Sequence, residues 1–155
     1  MYANKRGFTL VELILVIVLL SILSAIALPR FFGRTDFDNR VFFDDTLNAI
    51  RYSQKLAVAT GCNIRFYIET NSYTVLRDDS CTSGLFNSSL ATYHPATSDL
   101  GYSGSQTGVS LTAVNANTTF DPLGRVIENT DNIISVASRQ ITVVAETGFS
   151  YDSTP

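Results

Sequence analysis

An apolar run with a single acid near its start dominates the chain: Phe8 to Leu28 is 21 residues long, and Glu12 is the only charged one among them. A helix rises ~1.5 Å per residue, so a segment of that length covers the ~30 Å hydrocarbon core of a bilayer. Lys5 and Arg6 precede the run and Arg30 follows it. Basic flanks stay cytoplasmic, which predicts that everything beyond the run faces outward. Glu12 is the anomaly. A carboxylate at mid-span costs roughly 2.5–3.5 kcal/mol, so this position requires a specific cation.

A cut between Gly7 and Phe8 would create one. The new α-amine is protonated near neutral pH. Phe8 and Glu12 stand four apart on a helix, so the amine of one chain, displaced along a bundle, reaches the Glu12 of its neighbour. Each subunit then neutralises another's buried charge, and the pairing selects one packing register.

Gly7-Phe8-Thr9-Leu10-Val11-Glu12 resembles the leader-peptide signature of type IV pilins and of type II secretion pseudopilins. The resemblance implies cleavage after Gly7 by the prepilin peptidase, N-methylation of Phe8 by the same enzyme, and Glu12 as the assembly carboxylate. It also implies that Pro29 is the kink proline of the helical spine; a proline lacks the amide hydrogen and should bend the helix or end its first segment. Two other readings of the run remain. A secretory signal peptide has a shorter apolar core followed by a small-residue cleavage site, which Leu28-Pro29-Arg30-Phe31 does not offer. A plain signal anchor explains the length and the basic flank but not Gly7-Phe8 with Glu12.

The domain plan follows: a cleaved leader over 1–7, a transmembrane and filament-core helix over 8–28, the second half of the spine over 29–61, and an antiparallel β globular domain over 62–155. Thr35-Asp36-Phe37-Asp38 has capping-box spacing, so the helix either restarts at Thr35 or runs through with a bend. From Phe37 to Ala59, Asp44, Asn48, Arg51 and Lys55 form one polar stripe. Phe42, Phe43, Leu47, Ala49, Ile50, Leu56 and Ala57 cover the rest of the circumference, an apolar face that needs a sheet to cover it. Gly61 supplies a stop.

Ile64, Phe66 and Ile68 alternate with Arg65, Tyr67 and Glu69, and Tyr73 to Arg77 follow. With Asn71-Ser72 as a two-residue turn, Ile68 faces Val75, Arg65 faces Asp78 and Cys62 faces Cys81. In an exported chain, two cysteines so placed are expected to form a disulfide. Between Thr82 and Phe120 the only charge is Asp99; loops and short strands are expected there, anchored by Leu85, Phe86, Leu90, Tyr93, Val109, Leu111 and Val114, with Gly101 to Gly108 as a loop. Asp121-Pro122-Leu123-Gly124 is turn chemistry, and Ile133–Val136 and Gln140–Val144 read as a final pair of buried strands. Hairpins against one helix make an α+β fold: a long N-terminal helical spine packed on an antiparallel β-sheet.

Phe120-Asp121-Pro122-Leu123-Gly124-Arg125, with Thr147-Gly148, resembles the globular domain of GspH/FimT-type minor pilins. Within that group the chain looks most like minor pilins of mannose-sensitive haemagglutinin (MSHA) pili. The resemblance implies a subunit that enters or initiates a filament serving surface attachment. Its partners are other pilins through the N-terminal helix and the prepilin peptidase, with the inner membrane as host before assembly and the pilus surface as destination.

Charge argues in the same direction. Eleven Lys+Arg against 14 Asp+Glu give −3, and loss of Lys5 and Arg6 leaves 9 against 14, or −5. DNA affinity comes largely from phosphate neutralisation, and the acidic Glu146 to Asp152 segment departs from the basic C-terminal segment of DNA-binding FimT-like members. Nucleic acid is not an expected partner. Nor is catalysis: His94 is the only histidine, without ligand-spaced Cys, Asp or Glu, and no G-x-S-x-G elbow, P-loop or dinucleotide fingerprint occurs. No cofactor or metal is expected, and Asp44-Asp45 and Asp78-Asp79 read as solvated acids. The rival functions are a minor pseudopilin of a type II secretion system and a membrane-anchored periplasmic binding protein.

Overall fold

The computed structural model describes residues 9–31, 34–96 and 101–155, with side chains at 25–31, 34 and 88–91 left aside. Gly7 and Phe8 lie outside the described residues. The chain divides into two units, Met1–Asp36 and Phe37–Pro155.

In the first unit, helix α1 runs Leu10–Phe31. It continues two residues past Pro29, so the first helical segment ends later than the proline alone predicts. Helix α2, Arg34–Thr60, begins one residue ahead of the expected restart and carries the second unit's helical face. It stops where expected: Gly61 takes φ 67°, and its N–H donates to the Ala57 carbonyl at 3.0 Å, a left-handed C-terminal cap. Phe42, Phe43, Leu47, Ala49, Ile50 and Ala57 are buried in the core, while Asp44, Asn48, Arg51 and Lys55 are exposed.

Nine strands follow among the described residues: β1 Ile64–Glu69, β2 Ser72–Asp78, β3 Phe86–Ala91, β4 Ser103–Ser105, β5 Leu111–Ala113, β6 Asn117–Phe120, β7 Asn132–Val136, β8 Arg139–Val143 and β9 Ser150–Asp152. They build two antiparallel sheets where a single one is expected from the sequence. One has the order β3-β2-β1-β6 with β4 also on β2, the other β5-β7-β8-β9. Inward residues of both sheets, among them Ile64, Phe66, Val75, Ile134, Val136 and Ile141, join α2 in one core. The α+β class holds.

The β1–β2 register corrects the expected one. Ile68 pairs with Tyr73 and Ile64 with Arg77, so the turn is Thr70-Asn71, with Asn71 at φ 56°, and each partner lies two residues earlier than the Asn71-Ser72 turn implies. An even slip leaves every side chain on its own face, which is why the hydrophobic pattern could not exclude it. Arg65 faces Leu76, not Asp78; its guanidinium lies 3.7 Å over the Phe86 ring, and its Nε donates to Thr119 Oγ1 at 3.1 Å.

Cys62 and Cys81 are disulfide-bonded, although no longer directly opposite; Cys81 sits in the turn after β2, where Asn63 N–H donates to its carbonyl at 2.7 Å. With a sequence separation of 19, the bridge should stabilise by about 3 kcal/mol in the chain-entropy model. Cys81→Ser is expected to lower the thermal midpoint accordingly, and an unchanged midpoint under non-reducing conditions would contradict it.

Asp78 is the larger correction. It is fully buried, and the turn beyond it wraps its carboxylate. Oδ1 accepts from Ser80 N–H at 3.1 Å, Ser83 N–H at 3.0 Å and Ser83 Oγ at 2.6 Å, and Oδ2 accepts from Gly84 N–H at 2.6 Å. Burial alone would raise its pKa, but these donors outweigh it and hold the carboxyl below the usual range. A lowered folded pKa contributes stability above the unfolded value of about 4 and loses it as pH falls through the folded one. The thermal midpoint should therefore decline below about pH 4. Asp78→Asn should cost about 1.5–3 kcal/mol at neutral pH, because its amide cannot accept from all five donors, Asn63 Nδ2 at 3.5 Å included, and should flatten that decline.

The span between β2 and β6 departs furthest from expectation. Leu85, Tyr93 and Val114 are exposed, whereas Val109 and Leu111 are buried. The expected Gly101–Gly108 loop contains β4, whose Ser105 pairs with Ser72 and Gly104 with Tyr73.

Candidate functional site

Thr9 caps α1. Its Oγ1 accepts from Glu12 N–H at 3.2 Å and its carbonyl accepts from Leu13 N–H at 3.2 Å, so Glu12 is the third helical residue. Thr9-x-x-Glu12 ahead of an apolar run is a capping-box pattern, a sequence signal that the reading of the apolar run leaves unused. The position tempers the cost of the acid. Glu12 stands at the positive end of the helix dipole, worth about 0.3–1 kcal/mol to an anion, and near the end of the span, so the mid-span penalty is an upper bound. Its carboxylate makes no hydrogen bond to another described residue.

The surface around Glu12 is apolar on every side. From Leu10 to Leu23 the large hydrophobics are exposed, between 41% and 73%, and the one hydroxyl among them, Ser21, donates to the Ile17 carbonyl at 2.7 Å and so presents no unmet donor. A helix apolar all round belongs in a membrane or at the centre of an assembly. Counting only residues whose side chains are described, no helix is long and apolar enough to cross a membrane; α1 itself is 22 residues.

In the second unit, the two sequence fragments that suggest a minor-pilin domain meet. The Asp121 carboxylate closes its turn, Oδ1 accepting from Leu123 N–H at 2.9 Å and Arg125 N–H at 2.8 Å, and Oδ2 from Arg125 Nε at 3.0 Å and Nη2 at 2.8 Å. Burial works against that charge, but the Arg125 and Leu123 donors hold the Asp121 carboxyl below its ordinary pKa. Gln54 on α2 bridges the fragments, its Nε2 donating to the Gly124 carbonyl at 3.0 Å and the Thr147 carbonyl at 2.8 Å. Arg125 is therefore a turn arginine. His94 is half-buried, its ring 4.6 Å from that of Tyr102, and among the described residues no cluster of three or more metal-ligating side chains occurs. In the acidic segment near residue 150, Asp152 accepts from Thr154 and, at 2.5 Å, from Arg139, which together lower its carboxyl to about 2.

Helix α1 is capped at Thr9 and, over Leu10–Leu23, apolar and exposed with one acid in its first turn, and it shares the chain with a helix-and-two-sheet unit. Residues 2–28 match the prokaryotic N-terminal methylation motif. Over 54 residues the chain is 48% identical to the type IV narrow pilus major component PilA5 of Thermus thermophilus, a match covering 35% of this chain and 47% of PilA5; it thus spans about half the length of that relative. The fold is similar to that of the type IV minor pilin FimU of Pseudomonas aeruginosa PAO1, with a TM-score of 0.56 at 9% identity over 79% of this chain and 92% of FimU. A second crystal form of FimU gives 0.51, over 71% and 88%. The chain carries the methylation motif of type IV pilins, has a type IV pilin homologue and folds as a minor pilin does. Neither relative is an MSHA subunit, so that finer resemblance gains nothing from them.

Proposed function

We propose that the chain is a minor subunit of a type IV pilus-like filament, of the MSHA kind or a close analogue, serving surface attachment. The prepilin peptidase cuts between Gly7 and Phe8 and methylates the Phe8 amine. Before assembly α1 lies in the inner membrane with the second unit in the periplasm; afterwards it lies among the helices of neighbouring pilins, bent at Pro29, and Glu12 accepts the amine of an adjacent subunit. The observation that carries this reading is the exposed apolar surface of α1 from Leu10 to Leu23, which a bilayer or like helices would cover. Filaments sheared from cells should contain the chain, and cells lacking the peptidase should retain it in the membrane. A chain absent from sheared filaments while protein secretion fails without it would transfer the reading to a type II secretion pseudopilus.

A further inference from the structure

Helix α2 is sunk so far into its unit that one line of side chains stays outside. Between Val41 and Val58 the exposed residues are Val41, Asp44, Asn48, Arg51, Lys55 and Val58, and every other is buried or half-buried. Their spacing alternates three and four, the repeat by which one helix keeps a seam against another. Any deeply packed helix leaves such a strip, so the period alone names no partner. The order of side chains along it does.

The strip is complementary to itself. Val41, Asp44 and Asn48 run inward from one end, and Val58, Lys55 and Arg51 from the other. Laid antiparallel on a second copy, Val41 faces Val58, Asp44 faces Lys55 and Asn48 faces Arg51, and two-fold symmetry makes each pair twice. Other alignments fit worse. In parallel register Asp44, Arg51 and Lys55 would each meet their own like charge, which opposes association. A parallel copy shifted by one seven-residue repeat sets Asp44 on Arg51 but Arg51 on Val58. Sliding the antiparallel copy by the same step sets Arg51 on Lys55 or on Val41.

The side chains are placed for such a contact. Val41 and Val58 are 50% and 55% exposed. The Asp44 side chain is 60% exposed and reaches Arg139 only at 4.0 Å, and that guanidinium already holds Asp152 at 2.5 Å. The side chains of Asn48 and Lys55 make no hydrogen bond or ion pair with another described residue. Arg51 donates through Nη2 to the Ser150 carbonyl at 3.1 Å, which leaves other guanidinium donors for the Asn48 amide oxygen of a second copy.

We infer that two copies of this chain pair through the α2 strip as a two-fold dimer in the membrane, before assembly. The inference rests on the reading that α1 lies in the bilayer, where both copies insert with one polarity. A two-fold axis along the membrane normal keeps that polarity while setting helices that cross it antiparallel. Such a pair must part before the chain joins helices that all run one way.

The test uses the full chain in membranes of cells lacking the prepilin peptidase, where no filament forms. Two differently tagged copies are produced together, one carrying Val41→Cys and the other Val58→Cys, and copper phenanthroline supplies the oxidant. Cys62 and Cys81 are already joined, so the introduced thiols report the contact. The 41-to-58 crosslink is expected to dominate, because in this pairing the two copies of residue 41 lie ~25 Å apart, beyond disulfide reach. Asp44→Lys and Lys55→Asp, each of which sets like charges together twice, should each lower the crosslink at least roughly threefold. The double variant should restore it, which separates lost pairing from lost folding. A 41-to-41 crosslink as strong as 41-to-58, no 41-to-58 crosslink in membranes that hold the chain, or a double variant that stays low would overturn the inference. A chain recovered outside the membrane would overturn the membrane reading itself, and the pairing with it.

Discussion

Glu12→Ala and Glu12→Val should each leave cleavage after Gly7 largely intact while cutting the amount of the chain in sheared filaments at least tenfold. Two effects compete at this position. The helix dipole supports the carboxylate by about 0.3–1 kcal/mol, and an unpaired acid in hydrocarbon costs up to roughly 2.5–3.5 kcal/mol. The dipole offsets only part of that cost, and in the proposed assembly a neighbour's amine supplies the rest. Removing one member of a buried ion pair leaves the other charge stranded at about 3–5 kcal/mol, more than the factor of ten requires. Glu12→Gln, which keeps the size and loses the charge, should fail as Ala does. Equal amounts of wild type and all three variants in filaments would remove charge pairing from the account.

The second large effect is in the globular unit. Gly148 has φ +64°, and a Cβ built on it lies 2.0 Å from the Gly124 carbonyl oxygen and 2.6 Å from Gln54 Nε2. Left-handed backbone costs alanine about 1–2 kcal/mol, and forcing the Gln54 bridge apart adds about 1–3 kcal/mol. Gly148→Ala should therefore destabilise by roughly 3–4 kcal/mol, a fall of about 10 °C in thermal midpoint for a unit of this size. A control of opposite sign is built into the same unit. Ala137 adopts φ 52° in the β7–β8 turn, so Ala137→Gly should stabilise by about 0.5–1 kcal/mol. If both variants melt with the wild type, backbone conformation does not limit stability at either turn.

What can be read in advance follows the physics of each signal. The α2 core face is legible because a helical period over more than twenty residues leaves little freedom, and Phe42, Phe43, Leu47 and Ile50 are buried as that period requires. The hairpin is legible only to within two residues, since hydrophobic alternation repeats every two and the φ of Asn71 decides the rest. Strands β4 and β9 have three residues each, too short for alternation to register, and the partner of β4, strand β2, lies far along the chain. Asp78 reads as solvated because its burial comes from the turn after it; the signal lies in the Ser80, Ser83 and Gly84 donors that follow. At the N-terminus Glu12 stands out through its incongruity, whereas Thr9 shows itself only when the Thr9-x-x-Glu12 spacing is read as a capping box.

The most direct test of the account is the intact mass of the chain purified from its working assembly. It should begin at Phe8 and carry one added methyl group on the α-amine. A working chain that retains residues 1–7 would have no amine to offer a neighbour's Glu12, and the filament reading would be contradicted.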